Sequence, residues 1–358
     1  MWDELLEVQR KELLANSGKY DLLMIDHPWL GEYVSKDWLI PVDDVFDAPT
    51  ISDIRDDTAT RVLESYLFNG RLWALPFDAS TQVFYYRRDV LKKIGQEVPQ
   101  DFDALQEIAQ LIHNPPSMCA IGLPLRSFHG FDVFLSIFTA FGGQLFDEEG
   151  HWLYSSEPGE QALLTLNSML KFSHPRSLTW GPWQSGDAIE KGTICFAPIN
   201  YGYVSFRSDC RQSSQVGVTM VPKVRETQKR SSVLGGVGLA VAKATAHLKE
   251  CADYCKFSMD RSVIERFIAA SCWQPGRKSI LTNNRWDKFS GGFFGTLMHS
   301  IEFSYLRPRF DGWQTVEVEC GEVISRFLRG EISPRQVLKT MDEVGERLTN
   351  GAKRDDIS

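Results

Sequence analysis

The sequence predicts an α/β protein with more than one core. Helical and strand-like hydrophobic periods alternate from the N-terminus onward. The 358 residues exceed the roughly 250–300 at which a single core stops growing. A hydrophobic content of 43% and a charged content of 24% are ordinary for a globular chain.

The elements follow in order. Trp2, Leu5, Leu6, Leu13 and Leu14 mark one face of a first helix, stopped by Asn16-Ser17-Gly18. Tyr20 to Ile25 is a short apolar run bounded by polar residues, read as a buried parallel strand. Asp26-His27-Pro28-Trp29 follows at the carboxyl end of that strand, where open α/β sheets gather ligands. Leu72–Phe77 and Thr81–Tyr86 read as strands on either side of Asp78-Ala79-Ser80. Asp101 caps a helix whose apolar side carries Phe102, Leu105, Ile108, Leu111 and Ile112. Gly159–Phe172 is a further helix, Gly217–Val221 and Gly238–Val241 are strands, and Lys249–Asp260 and Val263–Ala270 are helices. The last helix has the fullest start signal: Ser333 at the N-cap, Pro334 at the first helical position and Gln336 completing a capping box. Val337, Leu338, Met341, Val344 and Leu348 form its core face.

Composition and motifs exclude several function classes. A net charge of −8 without a long Lys/Arg run argues against nucleic acid, because a phosphate backbone needs a basic face. The mixed stretch 223–230 reads as a solvated loop. Seven scattered histidines, no two at ligand spacing on one helix, give no zinc site. No G-x-S-x-G elbow or Walker loop is present, and Leu234-Gly235-Gly236-Val237-Gly238 lacks the third glycine of a dinucleotide fingerprint. Carboxylate pairs such as Asp43/Asp44 and Asp56/Asp57 fall in polar, turn-like segments and read as surface. No metal or cofactor is therefore expected.

Among ten tryptophans, Trp29, Trp180, Trp183, Trp273 and Trp313 sit beside Pro, Gly or Asp rather than on helix faces. Flat rings in a cleft suit the apolar faces of sugars, while Asp, Asn and Arg bond hydroxyls; loop anchoring is the competing explanation for each ring. The seven cysteines match no disulfide framework, and free thiols fit a reducing compartment. No basic and apolar export segment precedes Met-Trp-Asp-Glu-Leu-Leu, and no apolar run reaches the ~20 residues of a membrane span. Read as it stands, the chain carries no export signal and would be cytoplasmic.

Tyr-Asp-Leu-Leu-Met-Ile-Asp-His-Pro-Trp-Leu at 20–30, Trp-Leu-Ile-Pro-Val-Asp-Asp at 38–44, Phe-Asn-Gly-Arg-Leu-Trp-Ala-Leu-Pro-Phe-Asp at 68–78 and Phe-Tyr-Tyr-Arg-Arg-Asp-Val-Leu at 84–91 form an ordered series. Phe141-Gly142-Gly143 with Phe146-Asp147, the stretch 192–203, the stretch 234–243 and Arg307-Pro308-Arg309 continue it. The series resembles the extracellular solute-binding proteins of sugar ABC transporters, the group that includes maltose-binding protein, over about Trp2 to Leu348.

The resemblance implies a two-lobed periplasmic-binding-protein fold of type II, with a hinge and a ligand cleft between the lobes. Lobe I would take residues 1–80 and 233–278, and lobe II residues 81–232 and 279–358. Hinge segments would lie near 78–82, 231–235 and 273–278. It implies a non-catalytic monomer that binds a sugar-like solute and delivers it to a permease, in the periplasm or at the cell surface. Cleft residues carried over are Asp26, His27 and Trp29 from the first lobe, Asp78 at the crossing, and Asn200, Tyr201 and Tyr203 from the second lobe. Gly235 and Gly236 would admit the backbone. Trp273 with Gln274, and Arg309 with Trp313, would close the rim, and Trp180 is the further candidate ring. The family begins with a signal peptide, a strand, a helix and another strand, and the match to this chain starts inside that region. Two explanations compete: a start assigned too late in a longer exported protein, or a truncated first lobe lacking the family's first strand, acting as a cytosolic ligand sensor or inactive; a carbohydrate-active enzyme is a further expectation.

Overall fold

Phe77 to Ala79 carry the chain out of one sheet and into another, and Gly236 and Val237 carry it back. The computed structural model describes residues 2–202, 215–271 and 273–349. Its strands are β1 (Leu22–Ile25), β2 (Leu39–Ile40), β3 (Leu67–Phe68), β4 (Arg71–Leu72), β5 (Leu75–Pro76), β6 (Ser80–Arg87), β7 (Cys119–Ile121), β8 (Ile194–Tyr201), β9 (Val216–Thr219), β10 (Ser232–Gly235), β11 (Gly238–Ala242) and β12 (Ser304–Tyr305).

The first sheet has four strands in the order β1-β11-β2, with β5 also pairing β11. β11 runs antiparallel to β1, β2 and β5. The reason is the path of the chain: β5 leaves this sheet, and β11 enters it from the opposite direction. The parallel pairing expected for the 20–25 run is therefore corrected. So is its full burial, because Met24 is exposed and β1 alternates. The expected strand Leu72–Phe77 is broken in two, with Leu72 pairing in the short β3–β4 hairpin.

The second sheet has six strands in the order β12-β10-β6-β8-β7, with β9 also on β6. β6 is its spine, fully apolar or buried except at Tyr86. It pairs antiparallel with β10 at Ser80 and Thr81, and with β9 from Phe84 to Arg87. A register shift between Val83 and Tyr85 separates its two contacts with β8.

Each sheet has its own apolar cluster. Leu23, Ile25, Leu30, Tyr33, Leu39, Leu75 and Ala240 centre the first. Phe84, Phe131, Phe134, Phe138, Phe196 and Ile324 centre the second, where the helix Phe128–Ala140 packs between the sheet and the helix Trp313–Leu328. A third cluster joins Val62, Ile264 and Ile268 to Leu234, Phe293 and Phe294. The C-terminal helix Pro334–Thr349 starts as the sequence predicts: the Gln336 side chain accepts from the Ser333 N–H at 2.9 Å, and the Gln336 N–H points back to Ser333 Oγ at 3.4 Å. Two residues assigned to core faces are instead exposed. Leu14 is 71% and Leu111 68% accessible. Among the described residues no helix is long and apolar enough to cross a membrane.

Candidate binding cleft

A cavity of about 420 Å³ opens between the two sheets. Its floor is built from charge. Asp26 follows the last residue of β1 and is 7% exposed. Arg307 follows β12 and donates through Nη2 to both Asp26 oxygens, at 3.0 and 3.2 Å. Its Nη1 donates to Glu317 Oε1 at 3.0 Å and lies 3.9 Å from Asp132 Oδ1. Tyr201, at the end of β8, donates its hydroxyl to Asp132 Oδ2 at 3.1 Å. One guanidinium thus sits among three buried carboxylates.

The titration of these groups follows from that count. Burial alone would raise Asp26, but the Arg307 guanidinium and the neighbouring His27 together outweigh it and hold the carboxyl at about 2. Burial pushes Glu317 upward, because one cation shared with Asp26 and Asp132 cannot keep every carboxylate ionised. Burial, with Arg307 adding to it, lowers His27 to about 4, so its imidazole is neutral at pH 7. Asp78, on the crossover, is pushed up to about 7 by burial; the Val237 N–H, 2.5 Å from its Oδ1, opposes this only in part.

The walls are aromatic. Phe77 and Trp273 pack against each other with centroids 4.7 Å apart. Facing elements bring Phe128 and His129 from the start of the Phe128–Ala140 helix, and Trp183 and Gln184 from the first turn of the helix Pro182–Glu190. Arg126 lies near Gly181 and His129. Gly235 is needed because a Cβ there would sit 2.7 Å from the Tyr201 ring. Gly236 adopts φ +105°, and a Cβ would come within 2.9 Å of the Asp78 carbonyl oxygen.

The structure brings Asp26, Asp78, Tyr201, Gly235, Gly236 and Trp273 to this one cavity. Other expected residues are placed elsewhere. His27 is fully buried behind Asp26, edge-on to Tyr66 at 6.4 Å. Trp29 donates its Nε1–H to Gln314 Oε1 at 2.9 Å and packs on Tyr33. Trp180 stacks on His174, centroids 4.3 Å apart, with the second-sheet residues. Asn200 alternates with Tyr201 along β8, so its side chain points into the protein and donates to the Tyr201 carbonyl at 3.1 Å. Gln274 is fully buried, its backbone carbonyl accepting from Ala79. Arg309 donates to the carbonyls of Glu64 at 2.8 Å and Leu67 at 2.5 Å, closing the end of the helix Thr60–Tyr66. Trp313 is core, stacked on Trp152 at 6.2 Å. Tyr203 lies outside the described residues.

Sequence reasoning missed Asp132, His129, Arg126 and Arg307. A signal for Asp132 was present: it is the one acid inside the apolar stretch Phe128–Phe138, and a carboxylate in such a run needs a purpose. Arg307 and Trp183 were both within motifs already singled out, but the neighbouring Arg309 and Trp180 were preferred to them.

The comparisons with known proteins agree with this architecture. The family model described as bacterial extracellular solute-binding protein matches residues 2–258. The mannitol-binding protein of Pseudomonas aeruginosa is 25% identical over 359 aligned residues, covering 91% of this chain and 80% of the relative. Maltose-bound MalE3 of T. maritima superposes with a TM-score of 0.86 at 19% identity, covering 96% of this chain and 88% of that one. A solute-binding protein of Agrobacterium vitis with bound D-mannitol gives a TM-score of 0.83 at 18% identity, covering 98% and 90%. The fold is the two-lobed one of these binding proteins, with the charged floor and aromatic walls lying between the lobes. With the family model spanning most of its length, the chain belongs to the bacterial extracellular solute-binding protein family.

Proposed function

We propose that this chain binds a sugar or polyol between its lobes without transforming it, and presents the closed complex to the permease of an ABC transporter outside the cytoplasm. The single observation that carries the reading is the cavity itself. Aromatic faces from both sides, Phe77/Trp273 and Trp183, flank buried acceptors and donors supplied by separate sheets. Each lobe holds part of the bonding set, so a polyhydroxy ligand gains most when the walls come together, and it shifts an open–closed equilibrium by that difference. The Pseudomonas relative named for mannitol and the neighbour holding D-mannitol support a ligand of hexitol size. The lobe division at 1–80 with 233–278, the ligand roles of Asp26, Asp78, Tyr201 and Trp273, and action as a monomer belong to the same proposal. Non-catalysis is supported by the floor: Asp26 is tied by both oxygens to Arg307, a poor arrangement for moving protons.

Isothermal titration against mannitol, ribitol, tagatose, maltose and longer oligosaccharides tests this, with product analysis on the same samples. One ligand is expected to bind 1:1 at micromolar affinity or better, about −8 kcal/mol, with no product. Trp273→Ala and Tyr201→Ala should each weaken it by at least about 1 kcal/mol. Turnover, or unchanged affinity in both variants, defeats the reading.

A further inference from the structure

The cleft floor carries more negative groups than a neutral guest can balance. Asp26, Asp132 and Glu317 surround one guanidinium, Arg307. Asp132 is the telling member. It lines the cavity with its side chain only 1% exposed; its Oδ2 takes the Tyr201 hydroxyl, and its Oδ1, buried 3.9 Å from Arg307 Nη1, has no hydrogen-bond partner among the described residues. Asp78, also buried and lining, has a backbone N–H on Oδ1 and no cationic side chain within 4.0 Å among the described residues. Of the other lining groups, Arg126 is exposed and makes no ion pair with these acids among the described residues, and His129 holds its Nδ1 3.9 Å from Asp132 Oδ2.

Sugar hydroxyls can donate to such carboxylates but cannot cancel their charge, and closing the cleft strips the water that would screen it. An ammonium does both, offering three donors and a positive charge. The aromatic faces of Phe77/Trp273 and Trp183 add attraction for a cation and none for an anion. Resting on the solute-binding reading above, we infer that the preferred ligand is an amino sugar or amino polyol, with its ammonium on the Asp132 carboxylate and its carbon chain against the aromatic walls.

The test is titration calorimetry with matched pairs that differ in one group: glucosamine against glucose, 1-amino-1-deoxysorbitol against sorbitol, and 1-amino-1-deoxymannitol against mannitol, with gluconate as an anionic arm. In at least one pair the amine should bind tenfold or more tightly than its hydroxyl sibling. Asp132→Asn should bring that ratio toward one, and Asp78→Asn should lower it less. The wild-type ratio carries the result even where a variant folds poorly. Hydroxyl siblings or gluconate binding as tightly as the amines overturns the inference and leaves the solute-binding reading standing. An amine preference untouched by both substitutions overturns the placement on Asp132. Failure of every compound to bind removes the solute-binding reading and this inference with it.

Discussion

Asp78 shows how a single buried carboxyl can set pH behaviour. Its folded value, near 7, lies above its ordinary 3.8, so the folded protein holds a proton that the unfolded chain releases. The stability it contributes is full below pH 3.8 and is lost as pH rises toward 7. Asp26 has the opposite sign: held at about 2, it contributes stability above pH 3.8 that is lost as pH falls toward 2. Urea denaturation from pH 4 to 8 should therefore show stability declining toward neutrality, and Asp78→Asn should flatten that decline; an unchanged slope would contradict the assignment. Removing the central cation is more severe. Arg307→Leu leaves Asp26 buried without its partner and should cost about 3–5 kcal/mol in the same assay. Single residues were also the hardest thing to read in the sequence. Asp26, Asp78 and Tyr201 line the cavity, but Arg309 and Arg307 are two residues apart, and only a folded chain decides which guanidinium reaches the cleft and which reaches the carbonyls of Glu64 and Leu67.

Elements were more legible than residues wherever a local interaction fixes them. The Ser333–Gln336 box and the Asp101 cap, whose Oδ1 accepts from Ala104 N at 2.8 Å, are local, and both appear in the sequence and in the structure. Ser333→Ala should lower the melting stability by about 1 kcal/mol. Pairing partners are not local: nothing within Tyr20–Ile25 announces that its neighbour is β11, more than 200 residues away, running the other way. Close packing between elements is hidden for the same reason. The helix Leu30–Ser35 meets the segment after Arg307 so tightly that a Cβ on Gly31 would fall 1.5 Å from the Arg309 carbonyl oxygen. Gly31→Ala must push the two segments apart. It should destabilise the protein by about 3 kcal/mol, and a stability equal to wild type in thermal or urea unfolding would refute the contact.

The molecule as a whole depends on its narrow crossings. β5 to β6 and β10 to β11 pass between the sheets side by side, pinned by the Asp78 carboxylate on Val237 N–H and by Ala79 N–H on the Gln274 carbonyl. Bending at these crossings would move the aromatic walls as rigid bodies. Saturating ligand should reduce the radius of gyration in small-angle X-ray scattering. Gly236→Val, which forces a branched side chain into φ +105° against Asp78, should weaken ligand affinity tenfold or more. A ligand that binds without any change in radius would rule out closure. At this scale the sequence is most informative, because the order of motifs along the chain follows topology, and topology brings the two sheets together around the cavity even where individual side chains point elsewhere.

Cys119, Cys195, Cys251, Cys255 and Cys320 are all buried and unpaired. Burial raises Cys195 and Cys255 to about 12, which leaves little reactive thiolate in the folded protein. Three of these thiols lie among second-sheet elements, and Cys251 and Cys255 lie on the helix packed against β11. The chain therefore contains its own set of chemical clocks. Timed alkylation read by peptide mass spectrometry would report, with no added probe, which half breathes first and whether an occupant slows both halves together.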